Sequence, residues 1–256
     1  MKRQEVISGR GLRINGASLA LIVLMGVALQ AYATSDLYQQ LPHTPGAAGG
    51  NGLSGFQGVL SGVAYDREVA DDFSVPSPGW IVQEVVTYWV PFNNTTTIPI
   101  TGVELVFWNK VGTVPGTVAA TASATLTVTS TGTLYFSRNM REIKATLSSP
   151  ITLAAGDYFV QFQPIVDENW FWLTSTPTTS VQFDSAAIRR GPLAGSGVDT
   201  AWPADWTNTP NAVFTAAYDV AFTIRGEVVP EPASLVALGA GLAGLLARRR
   251  RTAHTA

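Results

Sequence analysis

The middle of the chain alternates between apolar and polar positions with a period of two, which is the pattern of half-buried β-strands. In the stretch GVELVFW, for example, the alternation places Val103, Leu105 and Phe107 on one face and Glu104 and Val106 on the other. Seven other stretches are similarly rich in β-branched and aromatic residues and are separated by Gly, Pro, Asn or Ser. The predicted strands are 80–90, 102–108, 124–130, 133–137, 142–147, 157–165, 169–175 and 213–226.

No stretch of this region shows a sustained helical period, and no internal repeat occurs at a fixed spacing. The pattern therefore predicts an all-β domain, an antiparallel β-sandwich of jelly-roll-like type, over residues 63–229. Residues 34–62 precede it, and the seven glycines in 46–62 predict a loop or loose entry segment there.

Both ends of the chain break the alternation with a continuous apolar run. The N-terminal run, residues 19–29, follows Lys2, Arg3, Arg10 and Arg13 and suits the hydrophobic region of a signal peptide. The small residues Ala31 and Ala33 then form a cleavage site. We therefore predict that residues 1–33 are a signal peptide, that export uses the general secretory translocon, and that the mature chain starts at Thr34.

The C-terminal run, residues 233–247, is free of charge but diluted by three glycines. As a helix it would span about 22 Å, against roughly 30 Å for a hydrocarbon core, so we predict a single short transmembrane helix that anchors weakly. Pro230, Glu231 and Pro232 precede it and suit a helix start. The basic residues that follow predict a cytoplasmic C-terminus: Arg248, Arg249, Arg250 and Arg251.

This tail, residues 230–256, resembles the PEP-CTERM sorting signal of exopolysaccharide-producing Gram-negative bacteria. The Pro-Glu-Pro motif, the short apolar helix and the arginine cluster occur in that order at the end of the chain. The resemblance implies that an exosortase recognises residues 230–232 and processes the tail, with 233–247 as a transient anchor and 248–251 as its stop. The ectodomain is also similar to the uncharacterised domains that precede such tails.

Charge and cysteine content exclude several functions for the ectodomain. Residues 34–229 hold eight basic and sixteen acidic side chains, a net of −8, and contain no basic run. Nucleic-acid binding needs cations that neutralise phosphates, so we expect no nucleic-acid partner. The chain contains no cysteine, which excludes disulfides and thiolate metal sites.

The residues available for catalysis are few. His43 is the one histidine of residues 34–229 and lies between prolines, which predicts an ordinary loop residue. A glycoside hydrolase would need two facing carboxylates, and Asp167 and Glu168 are poor evidence for them, because neighbours in a strand point to opposite faces. We therefore expect a protein that is not an enzyme, and keep a carboxylate-pair glycosidase as an alternative.

An acidic segment, YDREVADDF, contains four carboxylates, and two interpretations of it remain open. Asp66, Glu68, Asp71 and Asp72 are solvated charges that protect an edge strand in one interpretation. In the other, Asp71 and Asp72 contribute to a weak extracellular calcium site, although the spacing of an EF-hand loop is lacking.

The seven tryptophans also allow two interpretations. Trp80, Trp89 and Trp108 lie in strand patterns and suit the core. Trp170 and Trp172 share one face of their strand, where they either complete the core or, if exposed, stack on sugar rings. The rival pair for that role comprises Trp202 and Trp206, which lie in the Pro-containing stretch AWPADW.

Taken together, these patterns predict an exported protein of the cell envelope or the exopolysaccharide matrix. The alternative, from a different functional class, is a carbohydrate-binding module that uses paired tryptophans and has exopolysaccharide as its partner.

Overall fold

The computed structural model describes residues 34–45, 52–60, 63–93, 99–175, 188–190, 206, 219–231, 239–241 and 243. The chain divides into two units, Met1–Ala33 and Thr34–Ala256, and every described residue belongs to the second. The division coincides with the predicted signal cleavage site, although residues 1–33, including Ala31 and Ala33, lie outside the described residues and their cleavage stays a prediction.

In the part of the chain that the structure describes, thirteen strands form two sheets, which confirms the all-β prediction and fits a β-sandwich. The strands are β1 Ser35–Gln40, β2 Gly52–Ser54, β3 Phe56–Leu60, β4 Val63–Val75, β5 Trp80–Pro91, β6 Gly102–Val111, β7 Val114–Ala122, β8 Ala124–Tyr135, β9 Arg138–Leu153, β10 Gly156–Ile165, β11 Trp170–Leu173, β12 Ile188–Arg190 and β13 Phe222–Val228. The jelly-roll type of connection stays a prediction.

The first sheet contains seven strands around β5. Strand β9 pairs with one side of β5, and β8 pairs with the far side of β9. Strands β13 and β11 pair with the other side of β5. Strand β1 pairs with β13, and β2 pairs with β11. The second sheet has the order β12-β4-β3-β10-β6-β7. Pairings are antiparallel except for the contact of Ile165 in β10 with Gln57 in β3, which is parallel.

The core lies between the sheets and is dominated by aromatic side chains. Phe73 contacts the rings of Trp80, Phe107 and Phe222, and Leu105 and Phe107 are fully buried. The alternation predicted for GVELVFW is therefore confirmed, because its odd-numbered positions face this core.

The glycine-rich stretch 46–62 is not simply a loop, contrary to the expectation from composition. It contains β2 and β3, and β3 pairs with β4 along its whole length. Gly58 shows why glycine is needed there: a Cβ at this position would lie 2.2 Å from the carbonyl oxygen of Val166. Here glycine permits the close approach of two backbones.

Candidate functional site

The sorting tail begins where the last core strand ends. Strand β13 stops at Val228, and the amide of Val229 donates to the carbonyl of Gly79, 2.9 Å away. Pro230 cannot continue a strand ladder because it lacks an N–H. Pro230 and Glu231 are exposed, so the first two residues of the motif lie on the surface, immediately beyond the domain.

Strand β13 itself is essential to the core. It lies between β1 and β5, and its side chains Phe222 and Ile224 are fully buried. A cut beyond Val229 would leave the whole strand in place, whereas a cut within it would open the core. The position of the motif therefore allows the tail to be removed without loss of the fold.

Most of the tail lies outside the described residues. This applies to Pro232, to the greater part of 233–247 and to all four arginines of the basic stop. Residues 239–241 and 243 are helical and exposed. Within the described residues, no helix combines the length and the apolar character that crossing a bilayer requires. The transmembrane anchor stays a prediction.

Trp170 and Trp172 are buried, so they cannot form an exposed sugar-stacking surface. Their exposures are 3% and 0%, and the Trp172 indole stacks on Trp89 at a centroid distance of 5.3 Å. The Trp172 Nε1–H donates to the carbonyl of Ala221 at 2.8 Å. Both tryptophans do share one face of β11, as predicted, but that face is the core side. The prediction of a binding role for this pair is wrong, and the pair completes the core.

The rival pair is only partly described. Trp202 lies outside the described residues. The ring of Trp206 packs edge-on against Trp108 at 5.9 Å, on the outer face of the second sheet. Trp108 in turn donates to Gln161 Oε1 at 3.0 Å. Trp206 is therefore held against another indole.

Asp167 and Glu168 anchor the backbone. Glu168 is 1% exposed, and its carboxylate accepts from the Trp170 indole at 3.3 Å and from the amide of Asn93 at 3.1 Å. Asp167 accepts from the amide of Val59 at 2.9 Å. The two side chains bind different parts of the fold, so they do not form the facing pair that glycoside hydrolysis needs.

The acidic segment of β4 is not a solvated edge, because Glu68, Asp71 and Asp72 are all at least 97% buried. Strand β4 is an internal strand, paired with β12, β3 and β10. Asp72 faces away from the core and forms an ion pair with Lys110 at 2.5 Å. The edge-charge interpretation fails because β4 is an internal strand and these three side chains are buried.

The calcium interpretation fails for a geometric reason. Asp71 and Asp72 are neighbours in a strand and point to opposite faces, so their carboxylates cannot bind one ion together. Among the residues that the structure describes, no three His, Cys, Asp or Glu side chains are grouped so as to hold a metal.

Asp71 instead belongs to a buried polar cluster that the sequence did not reveal. Its carboxylate accepts from the amide of Val220 at 2.7 Å and from that of Asp72 at 3.0 Å. Gln40, with its amide oriented to donate to Asp71, accepts from the hydroxyl of Tyr38 at 2.7 Å. The cluster thereby connects β1, β4 and the start of β13.

Burial dominates the electrostatics of this cluster. Desolvation, followed by the charges of Asp219 and Asp72, raises the pKa of Asp71 well above its usual value. Desolvation also raises the pKa of the Tyr38 hydroxyl, and so do the charges of Asp71, Asp219 and Asp72. Because Asp71 is fully buried, it cannot contact a substrate, and its role is to join strands.

His43 lies outside the strands, as the loop expectation states, but its side chain is buried. It is 2% exposed, its ring packs edge-on against Tyr135 at 4.9 Å, and its Nδ1 lies 3.2 Å from the carbonyl oxygen of Thr174. The ring nitrogen and the backbone amide of His43 therefore both contact the carbonyl of Thr174.

An exposed aromatic cluster lies at the far end of the first sheet. We define it as the aromatic tip: Phe92, Phe136, Arg138 and Phe171. Phe92 and Phe136 are 49% and 53% exposed. The Arg138 guanidinium lies 5.1 Å above the Phe92 ring and donates to the carbonyls of Phe92 and Phe136, so it fixes the two exposed rings relative to each other.

The backbone of the aromatic tip is strained. Phe136 and Ser137 have φ angles of 51° and 62°, in the left-handed region that large side chains rarely adopt. The two residues form the tight turn between β8 and β9, and two-residue hairpin turns commonly need a positive φ at both positions. Tyr135, just before them, is buried, and burial raises its pKa to about 12.

These features define a β-sandwich domain whose last core strand is followed immediately by the exposed residues Pro230 and Glu231. Residues 228–251 match the family model for the PEP-CTERM protein-sorting motif. This confirms the resemblance seen in the tail, and the motif implies sorting to the cell surface through an exosortase-type processing enzyme. Comparison with curated proteins gives no match.

Proposed function

We propose that the chain is an exported, non-enzymatic protein that its C-terminal tail sorts to the cell envelope or to the extracellular matrix. Residues 233–247 hold the chain in the membrane until processing at or near Pro230–Pro232 separates them from the ectodomain. The observation that carries the proposal is the exposed start of the motif, directly after the Val229–Gly79 hydrogen bond.

The burial of His43 and of three acidic side chains supports the non-enzymatic part of the proposal. Asp71, Glu68, Glu168 and His43 are each at most 3% exposed. Catalytic groups need access to substrate, whereas Asp71, Glu168 and His43 contact backbone groups.

Processing is tested in the native host with the full-length chain. A variant with Pro230, Glu231 and Pro232 all changed to alanine should remain membrane-bound and retain residues 248–251. The wild-type surface form should lack them in intact-mass spectrometry. Glu227→Ala is the matched control: it removes a carboxylate four residues earlier, in β13, and should leave processing unchanged. Recovery of the intact wild-type tail from the surface would refute the proposal.

The aromatic tip supports a second candidate function, carbohydrate binding. Val228 pairs with Trp80 at one end of β5, and Phe92 follows the other end, so the tip lies about 35 Å from the start of the tail. In an anchored chain the tip would face away from the membrane. Exposed, rigid rings beside a cation suit stacking against sugar rings.

Affinity electrophoresis on a panel of polysaccharides tests this candidate. Phe92→Ala combined with Phe136→Ala should abolish retention if the tip binds sugar. Val111→Ala, which trims a 61% exposed side chain of the second sheet, should not. Assaying the same panel for released reducing ends tests the glycosidase alternative. Equal retention of the wild type and the double variant would refute the binding role of the tip.

A further inference from the structure

The chain contains a long stretch without charge that forms one side of the sandwich. From Val111 to Ser137 no residue is Asp, Glu, Lys or Arg. This stretch forms β7 and β8, which among the described strands lie at an edge of the second and first sheet respectively. Elsewhere the ectodomain carries a net charge of −8, so this side differs from the rest of the surface.

Edge strands expose unpaired backbone donors and acceptors, and natural proteins protect them with charges, prolines, bulges or short length. The other edges described here carry such protection. Strand β1 has Asp36 and a register shift, β2 and β12 contain three residues each, and β7 has Pro115 and shifts in its pairing with β6.

Strand β8 has a register shift only between Ser130 and Leu134, and lacks this protection over Ala124–Ser130. It is twelve residues long, contains neither proline nor charge, and among the described strands pairs with β9 alone. From Ala124 to Ser130 it pairs with Leu147 to Arg141 without a register shift. These seven residues offer a regular edge about 23 Å long. Residues 127–134 are exposed apart from Thr133, and Val128 is 44% exposed.

We propose that β8 is a self-association surface, at which two copies of the chain pair their β8 strands antiparallel across a two-fold axis. A second copy fits because the uncharged edge lets two acidic domains approach without placing like charges opposite each other. A two-fold pairing closes, so it yields a dimer instead of an open filament. The ladder would join two seven-stranded sheets into one continuous sheet.

The two-fold symmetry of the proposed dimer determines where its two C-terminal tails lie. Antiparallel pairing reverses the strand direction of one copy relative to the other, so the two tails leave the dimer from opposite ends. Pairing therefore joins released copies, or copies on facing surfaces, and excludes neighbours anchored in one membrane. This consequence rests on the proposed sorting function, whereas the pairing itself does not.

Single cysteines test the pairing, because the chain has none of its own. Full-length chain is purified in detergent with one cysteine at each position from 125 to 130 in turn, mildly oxidised, and analysed by non-reducing electrophoresis. A disulfide requires Cα atoms about 4.4–6.8 Å apart. We expect a reducible dimer at one or two adjacent positions, those nearest the two-fold axis, and little at the others.

The matched control is Val59→Cys, since Val59 is 49% exposed but lies on β3, which is not an edge strand. Its dimer should be at least tenfold less abundant than that of the best β8 position. Equal cross-linking at all β8 positions and at Val59 would indicate random collision and overturn the proposal. So would the absence of a dimer at every β8 position.

Added charge gives an independent test. Thr127→Lys with Thr129→Lys, placed on the best cross-linking variant, should reduce the dimer at least tenfold, because it restores the missing edge protection. Thr146→Lys, on the exposed face of the interior strand β9, should not. Unchanged cross-linking in the double lysine variant would contradict pairing through β8. Circular dichroism confirms that each variant remains folded.

Discussion

Replacing Trp172 tests whether the indole pair belongs to the core. Trp172 is fully buried, stacks on Trp89 and donates to the carbonyl of Ala221. Removing a buried aromatic ring costs about 3–5 kcal/mol, and leaving a buried carbonyl without its donor costs about 1–3 kcal/mol. We therefore expect Trp172→Ala to lower the free energy of unfolding by about 5 kcal/mol.

The measurement is urea unfolding of residues 34–231, a segment that ends just beyond the last core strand. Because domains have only about 5–15 kcal/mol of stability, Trp172→Ala will be largely unfolded if the domain lies at the low end. Trp172→Phe is then the informative variant, since it keeps a ring, removes only the N–H donor and part of the volume, and should cost about 2 kcal/mol.

Phe92→Ala is the matched control, because Phe92 is a half-exposed aromatic residue of the aromatic tip. Its truncation should cost less than about 1.5 kcal/mol. In each variant the urea concentration at the midpoint of unfolding should shift. The slope of the unfolding free energy against urea concentration should stay constant. If Trp172→Ala unfolds within about 0.5 kcal/mol of the wild type, the indole is not packed in the core and the argument is refuted.

Three further predictions concern single groups. Because the folded-state pKa of Asp71 lies above its unfolded value, ionisation opposes folding as pH rises above about 4. Asp71→Asn should therefore gain stability relative to the wild type between pH 4 and pH 7, and parallel pH profiles of thermal unfolding would contradict this. Ser137→Gly should raise the free energy of unfolding by about 1 kcal/mol, because glycine adopts the φ of 62° without strain. A lower stability in urea unfolding would show that the Ser137 hydroxyl contributes more than the relief of strain. Lys110→Met should cost about 3–5 kcal/mol by leaving Asp72 buried without its cation, and adding Asp72→Asn should recover much of it in a double-mutant cycle.

Much of the strand content could be predicted from local pattern. The stretches 80–90, 102–108 and 157–165 correspond to β5, β6 and β10 within a few residues, because alternation and β-branched composition act over the length of one strand. The stretches 124–130 and 133–137 proved to be largely one strand, β8, whose pairing with β9 shifts register between Ser130 and Leu134. The strands that local pattern did not predict are β1, β2, β3, β4, β7 and β12. Of these, β2 and β3 lie in the glycine-rich stretch and are strands only through their partners.

The sequence by itself determined the tail. Its motif, apolar run and arginines follow one another along the chain, so recognition needs no knowledge of the fold, and the family match over residues 228–251 confirms it. The exposure of side chains was decided by the tertiary structure alone. Trp170 and Trp172 share a face by local geometry, but only the packing of the second sheet makes that face the core. Asp71 lies beside Asp219, 148 positions away, only because β13 returns to the first sheet. The burial of a side chain depends on elements that are distant along the chain, so no local sequence pattern predicts it.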